Sequence, residues 1–124
     1  MGRTVTDARG RLRILIVEDE ALVAMLIEDV LSDLGHEIAG VAGRLDVALK
    51  LAAEAQIDFA IVDLNLNGAR TYAIAEVLRG RAVPFIFATG YGAAGVEAGW
   101  ENVRVLPKPF EPHQLSAAIE AARA

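Results

Sequence analysis

The chain contains no cysteine, which excludes both a disulfide framework and a metal site built from thiolates. A cysteine-free chain suits a reducing compartment, so we expect a cytoplasmic location. Long hydrophobic runs are absent too, because every apolar run has the length of a strand and a membrane-spanning helix needs about 18 residues or more. Basic residues are outnumbered, with 12 lysines and arginines against 17 acidic residues and a formal net charge of -5. We therefore expect neither nucleic acid nor a membrane as a partner, since both require a basic surface.

The length of 124 residues leaves room for one domain with one sizeable core. Residues 1–11 are polar and show no periodicity, which predicts a flexible lead-in before a domain over residues 12–124. The lead-in begins with MGRTVT, which matches the N-myristoylation pattern, but a pattern so short matches often by chance.

Short apolar runs alternate with segments of helical periodicity over the rest of the chain. The predicted strands cover residues 12–17, 37–42, 59–62, 83–88 and 103–106. The predicted helices cover residues 23–34, 45–55, 71–78, 90–99 and the stretch that follows Pro112. This alternation predicts an α/β fold, a flavodoxin-like three-layer sandwich with five helices. Its five-stranded parallel sheet is expected to have the strand order 2-1-3-4-5.

Reactive side chains follow four of the five predicted strands. Glu18 and Asp19 end the first strand, and Asp63 ends the third. Thr89 ends the fourth strand, and Lys108 follows the fifth. Parallel strands joined by crossovers all point the same way, and ligands bind in the crevice at their carboxyl ends. We therefore expect these five side chains to share one site.

The side chains expected at this site are suited to phosphoryl transfer. Asp63 can act as a carboxylate nucleophile toward phosphorus and form an acyl phosphate. This reaction depends on positioning and on charge neutralisation more than on covalent chemistry by the protein. Because Glu18, Asp19 and Asp63 would repel one another, we expect a hard cation among them, and Mg²⁺ prefers such oxygen ligands.

Four motifs resemble those of the receiver domain of bacterial two-component response regulators: VEDE around Glu18, IVDLNLNG around Asp63, FATG around Thr89 and LPKPF around Lys108. The similarity covers residues 12–124, and PFIFATGYG also resembles the FAT GUY subgroup of receivers. The resemblance implies a single-domain response regulator without an output domain of its own. It would accept a phosphoryl group from a histidine kinase, or from a histidine phosphotransfer protein, and signal to a protein partner.

The resemblance also implies a role for each residue of the metal site. Asp63 would be the phosphorylation site and would bind Mg²⁺ directly together with Asp19. Glu18 would act mainly through water, and the main-chain carbonyl of Asn65 would supply another ligand.

Two further residues would contact the phosphoryl group. By the same resemblance, Lys108 pairs with its oxygens and Thr89 donates its hydroxyl to it. Receivers commonly hold the peptide bond between this lysine and the following proline, here Pro109, in cis. A plain proline-rich turn is the alternative interpretation of the LPKPF run.

Val105 is a departure from the family pattern, because most receivers carry tyrosine or phenylalanine three residues before the lysine. A valine cannot act as a rotating aromatic switch. The FAT GUY resemblance implies that the segment after Thr89 changes conformation instead. The residues expected to take part are Gly90, Tyr91, Gly92 and Gly95.

The predicted helix over residues 90–99 contains four glycines, and an interior glycine costs about 1 kcal/mol relative to alanine. We therefore expect a marginal helix, although the glycines could equally serve close packing or turns. Trp100, at its end, is interpreted as a packing residue, with a partner anchor as the alternative.

Alternative functions were weighed against the receiver hypothesis. A phosphoryl shuttle or sink in a phosphorelay would use the same site. A degenerate receiver that serves only as a scaffold would not need the intact acidic cluster. An Asp-nucleophile phosphatase of the haloacid dehalogenase type needs an acid two residues after the nucleophile, where Asn65 stands.

The run GYGAAG matches a dinucleotide-binding fingerprint, but that interpretation leaves Asp63 without a role. A receiver catalyses only its own phosphorylation and slow dephosphorylation, so we do not expect a classical enzyme.

Overall fold

The computed structural model describes residues 10–90 and 95–123. Its strands are β1 (Arg13–Val17), β2 (Glu37–Ala42), β3 (Phe59–Asp63), β4 (Asn65–Leu66), β5 (Ala69–Arg70), β6 (Phe85–Thr89) and β7 (Val105–Pro107). Its helices are α1 (Ala21–Asp33), α2 (Leu45–Glu54), α3 (Tyr72–Gly80) and α4 (Pro112–Arg123). None of these four helices is long and apolar enough to cross a membrane. Residues 1–9 lie outside the described residues, so the flexible lead-in stays a prediction.

Five strands form one parallel sheet in the order β2-β1-β3-β6-β7. Counted along the chain, these strands have the predicted order 2-1-3-4-5, so the predicted topology is confirmed. The central strand β3 is buried at every position because helices cover both faces of the sheet. Its carboxyl end therefore lies in the middle of the sheet edge where the predicted site residues are expected.

Two apolar cores lie on opposite faces of the sheet, as the three-layer prediction requires. Alternate residues of β1 point to opposite faces, so Leu15 contributes to one core and Ile14 to the other. Helices α2 and α3 cover the first core with Ala48, Ala52, Ile74 and Leu78. Helices α1 and α4 cover the second core with Ile27, Leu31, Leu115 and Ile119.

The predicted fifth helix is wrong for the residues that the structure describes. Residues 91–94 lie outside the described ranges, Gly95 is in a 3₁₀ conformation, and turns follow at residues 98–99 and 101–102. Gly99 has a φ of +98°, which an α-helix does not allow. Gly95 and Gly99 are two of the four glycines predicted to make this helix marginal, and they favour turns over residues 95–102.

A hairpin between β3 and α3 was not predicted. Strands β4 and β5 pair in antiparallel register, with Leu66 opposite Ala69. Their connection is therefore the two-residue loop Asn67–Gly68, and Asn-Gly is the strongest short hairpin signal in a sequence. Residues 64–69 were expected to form a loop, although the sequence contains this Asn-Gly signal.

Trp100 packs in an aromatic cluster, as expected, and is only 7% exposed. Its ring stacks on Tyr72 with 5.7 Å between centroids and meets Phe87 edge-on at 6.0 Å. The centroids of the Phe85 and Trp100 rings are 6.3 Å apart. The guanidinium of Arg79 lies 3.8 Å from the centroid of the Trp100 ring. Through these ring contacts, Trp100 packs the turns after Gly95 against β6 and α3.

We predict that Trp100→Ala lowers the free energy of unfolding by about 3–5 kcal/mol, because the substitution leaves a cavity among buried rings. Urea denaturation with linear extrapolation measures the change. Leu22→Ala is the matched control, since Leu22 is 81% exposed and its truncation should change stability by about 0.5 kcal/mol or less. A similar loss in both variants would contradict the packing role of Trp100.

Candidate functional site

The structure brings the predicted site residues together at the carboxyl edge of the sheet. Carboxylate oxygens of Glu18, Asp19 and Asp63 all lie within 4.8 Å of one another. Lys108 Nζ lies 3.1 Å from Asp63 Oδ2. The main-chain N–H of Lys108 also donates to the carbonyl of Thr89 at 2.9 Å, which ties the lysine loop to the end of β6.

Lys108 is paired with three carboxylates. Besides Asp63, its Nζ lies 3.0 Å from Glu18 Oε1 and 3.3 Å from Glu20 Oε1. Burial alone would lower the pKa of Lys108, but the close contacts of its ammonium with the Glu18 and Asp63 carboxylates outweigh it and raise that pKa above its ordinary value. The ammonium is therefore charged at any physiological pH. The peptide bond between Lys108 and Pro109 is cis, as the family resemblance implied.

Glu20 was not predicted as part of this site. It is exposed, and it reaches Lys108 from the start of α1. The available signal was its place as the third acid of the run VEDE, directly after Glu18 and Asp19.

Glu18 is the most deeply buried carboxylate of the cluster, with 3% of the residue exposed. Its Oε2 accepts a hydrogen bond from the N–H of Glu20 at 3.0 Å. Its Oε1 lies close to Lys108 Nζ but has no aligned hydrogen-bond donor among the described residues. Burial, reinforced by the charge of Asp63, raises the pKa of Glu18 to about 7, against the opposing contacts with Glu20 and Lys108.

Asp63 is held in place by its own neighbours along the chain. The N–H of Asn65 donates to Asp63 Oδ1 at 3.1 Å, while Oδ2 faces Lys108. The buried hydroxyl of Thr71 donates to the carbonyl of Asp63 at 2.7 Å. Thr71 was missed by the sequence analysis, where it was only the first residue of a predicted helix.

Asp19 is contacted by the β4–β5 hairpin. The N–H of Asn67 donates to Asp19 Oδ2 at 3.1 Å, and the Asn67 side-chain amide donates to the carbonyl of Gly43 at 3.4 Å. The loops after β1 and β2 and the tip of the hairpin therefore meet beside the acidic cluster.

The donor set fits a hard divalent cation. Three carboxylates face one another, and only the Lys108 ammonium among the predicted site residues balances their charge. The buried Glu18 Oε1 without an aligned donor is the kind of oxygen that a cation or its water ligands would satisfy. Carboxylates and main-chain carbonyls are the ligands that Mg²⁺ prefers.

The predicted conformational segment is described only in part. Thr89 is 4% exposed at the end of β6, and Gly90 is exposed directly after it. Tyr91 and Gly92 lie outside the described residues. Gly95 is described, and its carbonyl accepts a hydrogen bond from the Arg70 guanidinium at 3.4 Å.

Val105 packs where the family usually places an aromatic residue. It lies opposite Phe87 in the pairing of β6 with β7 and is partly buried against the core that contains Trp100. The structure therefore shows a small packing residue at this position.

Comparison with known proteins identifies a family for the chain. A family model described as the response regulator receiver domain matches residues 14–120. The chain belongs to this family. Receiver domains are the signalling modules of two-component systems, and their acidic pockets bind Mg²⁺; the three carboxylates of this receiver domain have that composition.

Relatives extend the comparison. The Phyllosphere-induced regulator PhyR of Methylorubrum extorquens is 33% identical over 97% of this chain and 49% of its own length. The transcriptional regulatory protein PdtaR of Mycobacterium tuberculosis is 33% identical over 96% of this chain and 60% of its own length. The chain thus spans about half to three fifths of these relatives. The solution structure of SdrG from Sphingomonas melonis is 37% identical, covers 92% of this chain and 98% of that one, and superposes with a TM-score of 0.82.

We predict that the receiver domain without divalent cations loses stability as the pH rises from 5 to 8. The folded-state pKa of Glu18 is raised from 4.5 to about 7, so the proton on Glu18 favours the folded state. This contribution is complete below pH 4.5 and is lost as the pH rises through 7, with an upper limit of about 3 kcal/mol. Unfolding at each pH should show the loss in wild type and its absence in Glu18→Gln.

Glu54→Gln is the matched control, because Glu54 is exposed at the end of α2 and far from the acidic cluster. This variant should follow the wild-type pH profile. Parallel profiles for wild type and Glu18→Gln would contradict the assignment of the pH dependence to Glu18.

Proposed function

We propose that this receiver domain accepts a phosphoryl group onto Asp63 from a histidine kinase, or from a histidine phosphotransfer protein, in a Mg²⁺-dependent reaction. The observation that carries the proposal is the position of the Asp63 carboxylate. One of its oxygens is held by the N–H of Asn65, and the other faces the Lys108 ammonium at 3.1 Å. A carboxylate so oriented is a positioned nucleophile with a cation beside the point of attack.

The reaction would exchange one phosphorus bond for another. A carboxylate oxygen of Asp63 attacks phosphorus, and the bond from phosphorus to the phosphohistidine nitrogen breaks. The imidazole nitrogen keeps the electron pair and takes up a proton, and Asp63 becomes an acyl phosphate. Lys108 is already 3.1 Å from the attacking Asp63 carboxylate and would pair with the phosphoryl oxygens as a point charge.

Asp19, Asp63 and the main-chain carbonyl of Asn65 would hold Mg²⁺, and Glu18 would act through water. When bound, Mg²⁺ would neutralise charge on the phosphoryl oxygens during transfer. The chain's own contribution is the arrangement of the ligands, since carboxylate oxygens of Glu18, Asp19 and Asp63 already lie within 4.8 Å of one another. The charge of this cluster explains why a cation is needed before an anionic phosphoryl group can approach.

The signal would leave the site through Thr89 and the region from Gly90 to Trp100. The Thr89 hydroxyl would donate to the phosphoryl group, and the resulting displacement of Thr89 would shift the residues of β6. Phe87 lies two residues earlier on the same strand, and the centroids of its ring and the Trp100 ring are 6.0 Å apart. Val105 cannot supply the rotating aromatic of other receivers, so the aromatic cluster offers a physical route instead.

Exposed hydrogen bonds attach the described turns after Gly95 to the body of the domain. The N–H of Glu97 donates to Tyr72 Oη at 2.8 Å, and Arg70 donates to the carbonyl of Gly95. Exposed hydrogen bonds of this kind contribute about 1 kcal/mol each, so a charged hydrogen bond formed at Thr89 is large enough to shift the balance between two arrangements. A protein partner that binds one arrangement would receive the signal.

We predict that Asp63→Asn abolishes phosphorylation by acetyl phosphate, because an amide lacks the nucleophilic carboxylate. Intact-mass spectrometry in the presence of Mg²⁺ measures the added phosphoryl group. Asp33→Asn serves as the control, since it removes one exposed carboxylate at the end of α1 and should leave phosphorylation unchanged. Undiminished phosphate on the Asp63 variant would rule out the proposed acceptor.

We predict that beryllofluoride, as a mimic of the phosphoryl group, alters amide-exchange protection at Glu97, Gly99 and Trp100. Mass spectrometry of exchanged peptides, with and without the mimic, tests this. Tyr72→Phe removes the acceptor of the Glu97 N–H and should raise exchange there in the unmodified state. Equal amide protection at these residues with and without beryllofluoride would mean that the signal leaves the domain through another region.

A further inference from the structure

The β4–β5 hairpin has a tip whose backbone conformation is strictly defined. Asn67 has a φ of +49° and Gly68 a φ of +88°, so both loop residues lie in the left-handed region, as a type I′ turn requires. The N–H of Gly68 also donates to Asn65 Oδ1 at 2.8 Å. The position of the Asn67 main chain therefore depends on a glycine at position 68.

The tip of the hairpin touches the acidic cluster through its main chain. The N–H of Asn67 donates to Asp19 Oδ2 at 3.1 Å, across 48 residues of sequence. The Asn67 side chain reaches the carbonyl of Gly43, and a Cβ at Gly43 would lie only 3.5 Å from Asp19 Cα. The tip therefore lies where it can set the orientation of the Asp19 carboxylate.

We propose that the hairpin tip is a positioning element for the metal site: the Asn67 N–H holds one oxygen of Asp19 and thereby directs the other oxygen toward the cation. The inference rests on the proposed function, because that function makes Asp19 a metal ligand. Hydrogen bonds that orient metal ligands are worth about 10- to 100-fold in metal affinity.

The tip contributes little else to the fold. Asn67 and Gly68 are both exposed, and a Cβ added at Gly68 would meet no atom within 4 Å. A substitution at Gly68 therefore acts through backbone strain at its positive φ and not through lost packing. This strain displaces the neighbouring Asn67 N–H from Asp19.

Gly68→Ala tests the inference, with Gly35→Ala as a matched control. Gly35 has a φ of +87°, also has open space around a would-be Cβ, and lies between α1 and β2, remote from the acidic cluster. Both variants place alanine in the same strained conformation, so both should lose fold stability. Calorimetric titration with MgCl₂ should show about tenfold weaker binding in Gly68→Ala and wild-type binding in Gly35→Ala.

The rate of phosphorylation by acetyl phosphate is a second measurement that tests the inference. In Gly68→Ala the rate should fall at low Mg²⁺ and return to the wild-type rate when Mg²⁺ is saturating, since Asp63 itself is not substituted. The Gly68 N–H donates to the side chain of Asn65, whereas Asp63 is held by the main-chain N–H of Asn65. Mg²⁺ binding within twofold of wild type in Gly68→Ala, or an equal loss in Gly35→Ala, would overturn the inference. Absence of Mg²⁺ binding in the wild type would instead overturn the proposed metal site on which the inference rests.

Amide exchange gives a measurement that does not depend on the folding of the Gly68 variant. In the metal-free wild-type protein the Asn67 N–H should exchange slowly for an exposed turn, because Asp19 accepts its hydrogen bond. In Asp19→Ala the exchange at Asn67 should become at least tenfold faster, while exchange at Gly35 stays the same. Equally fast exchange at Asn67 in both proteins would refute the contact.

Discussion

The pairing of one ammonium with several carboxylates at the end of the central strand is the constraint on which the rest of the site depends. Lys108 lies 3.0 Å from Glu18 and 3.1 Å from Asp63, and both acids are almost fully buried. Buried charges are costly unless they are paired, and one lysine cannot balance all the acids that face it. Burial, reinforced by the charge of Asp63, raises the pKa of Glu18, and a divalent cation would stabilise its charged form.

The sheet connects this charge cluster to the rest of the domain. Asp63 ends a strand that is buried at every position, so its main chain is as rigid as the core. The N–H of Lys108 is bonded to the carbonyl of Thr89, and Phe87 on the same strand contacts the ring of Trp100. In the proposed function, these packed groups would carry a displacement at the cluster to the turns after Gly95.

The loops around the site differ in how they are held. The hairpin tip at Asn67 is fixed by the positive φ values of its two residues and by its bond to Asp19. The turns that contain Glu97 and Gly99 are held by exposed polar contacts and by one buried ring. The first arrangement suits a fixed ligand geometry, whereas the second suits a region that responds to phosphorylation.

The sequence by itself determined the sheet, its strand order and the residues that meet at its edge. The alternation of strand and helix patterns predicted the parallel sheet, and the known order of flavodoxin-like sheets supplied the strand order. Only the tertiary structure decided the contact of Glu20 with Lys108, the bond from Asn67 to Asp19 and the burial of Trp100, since each depends on distances between segments far apart in the chain. The predicted helix over residues 90–99 was wrong for its described part because the glycines that were expected to make it marginal favour turns there.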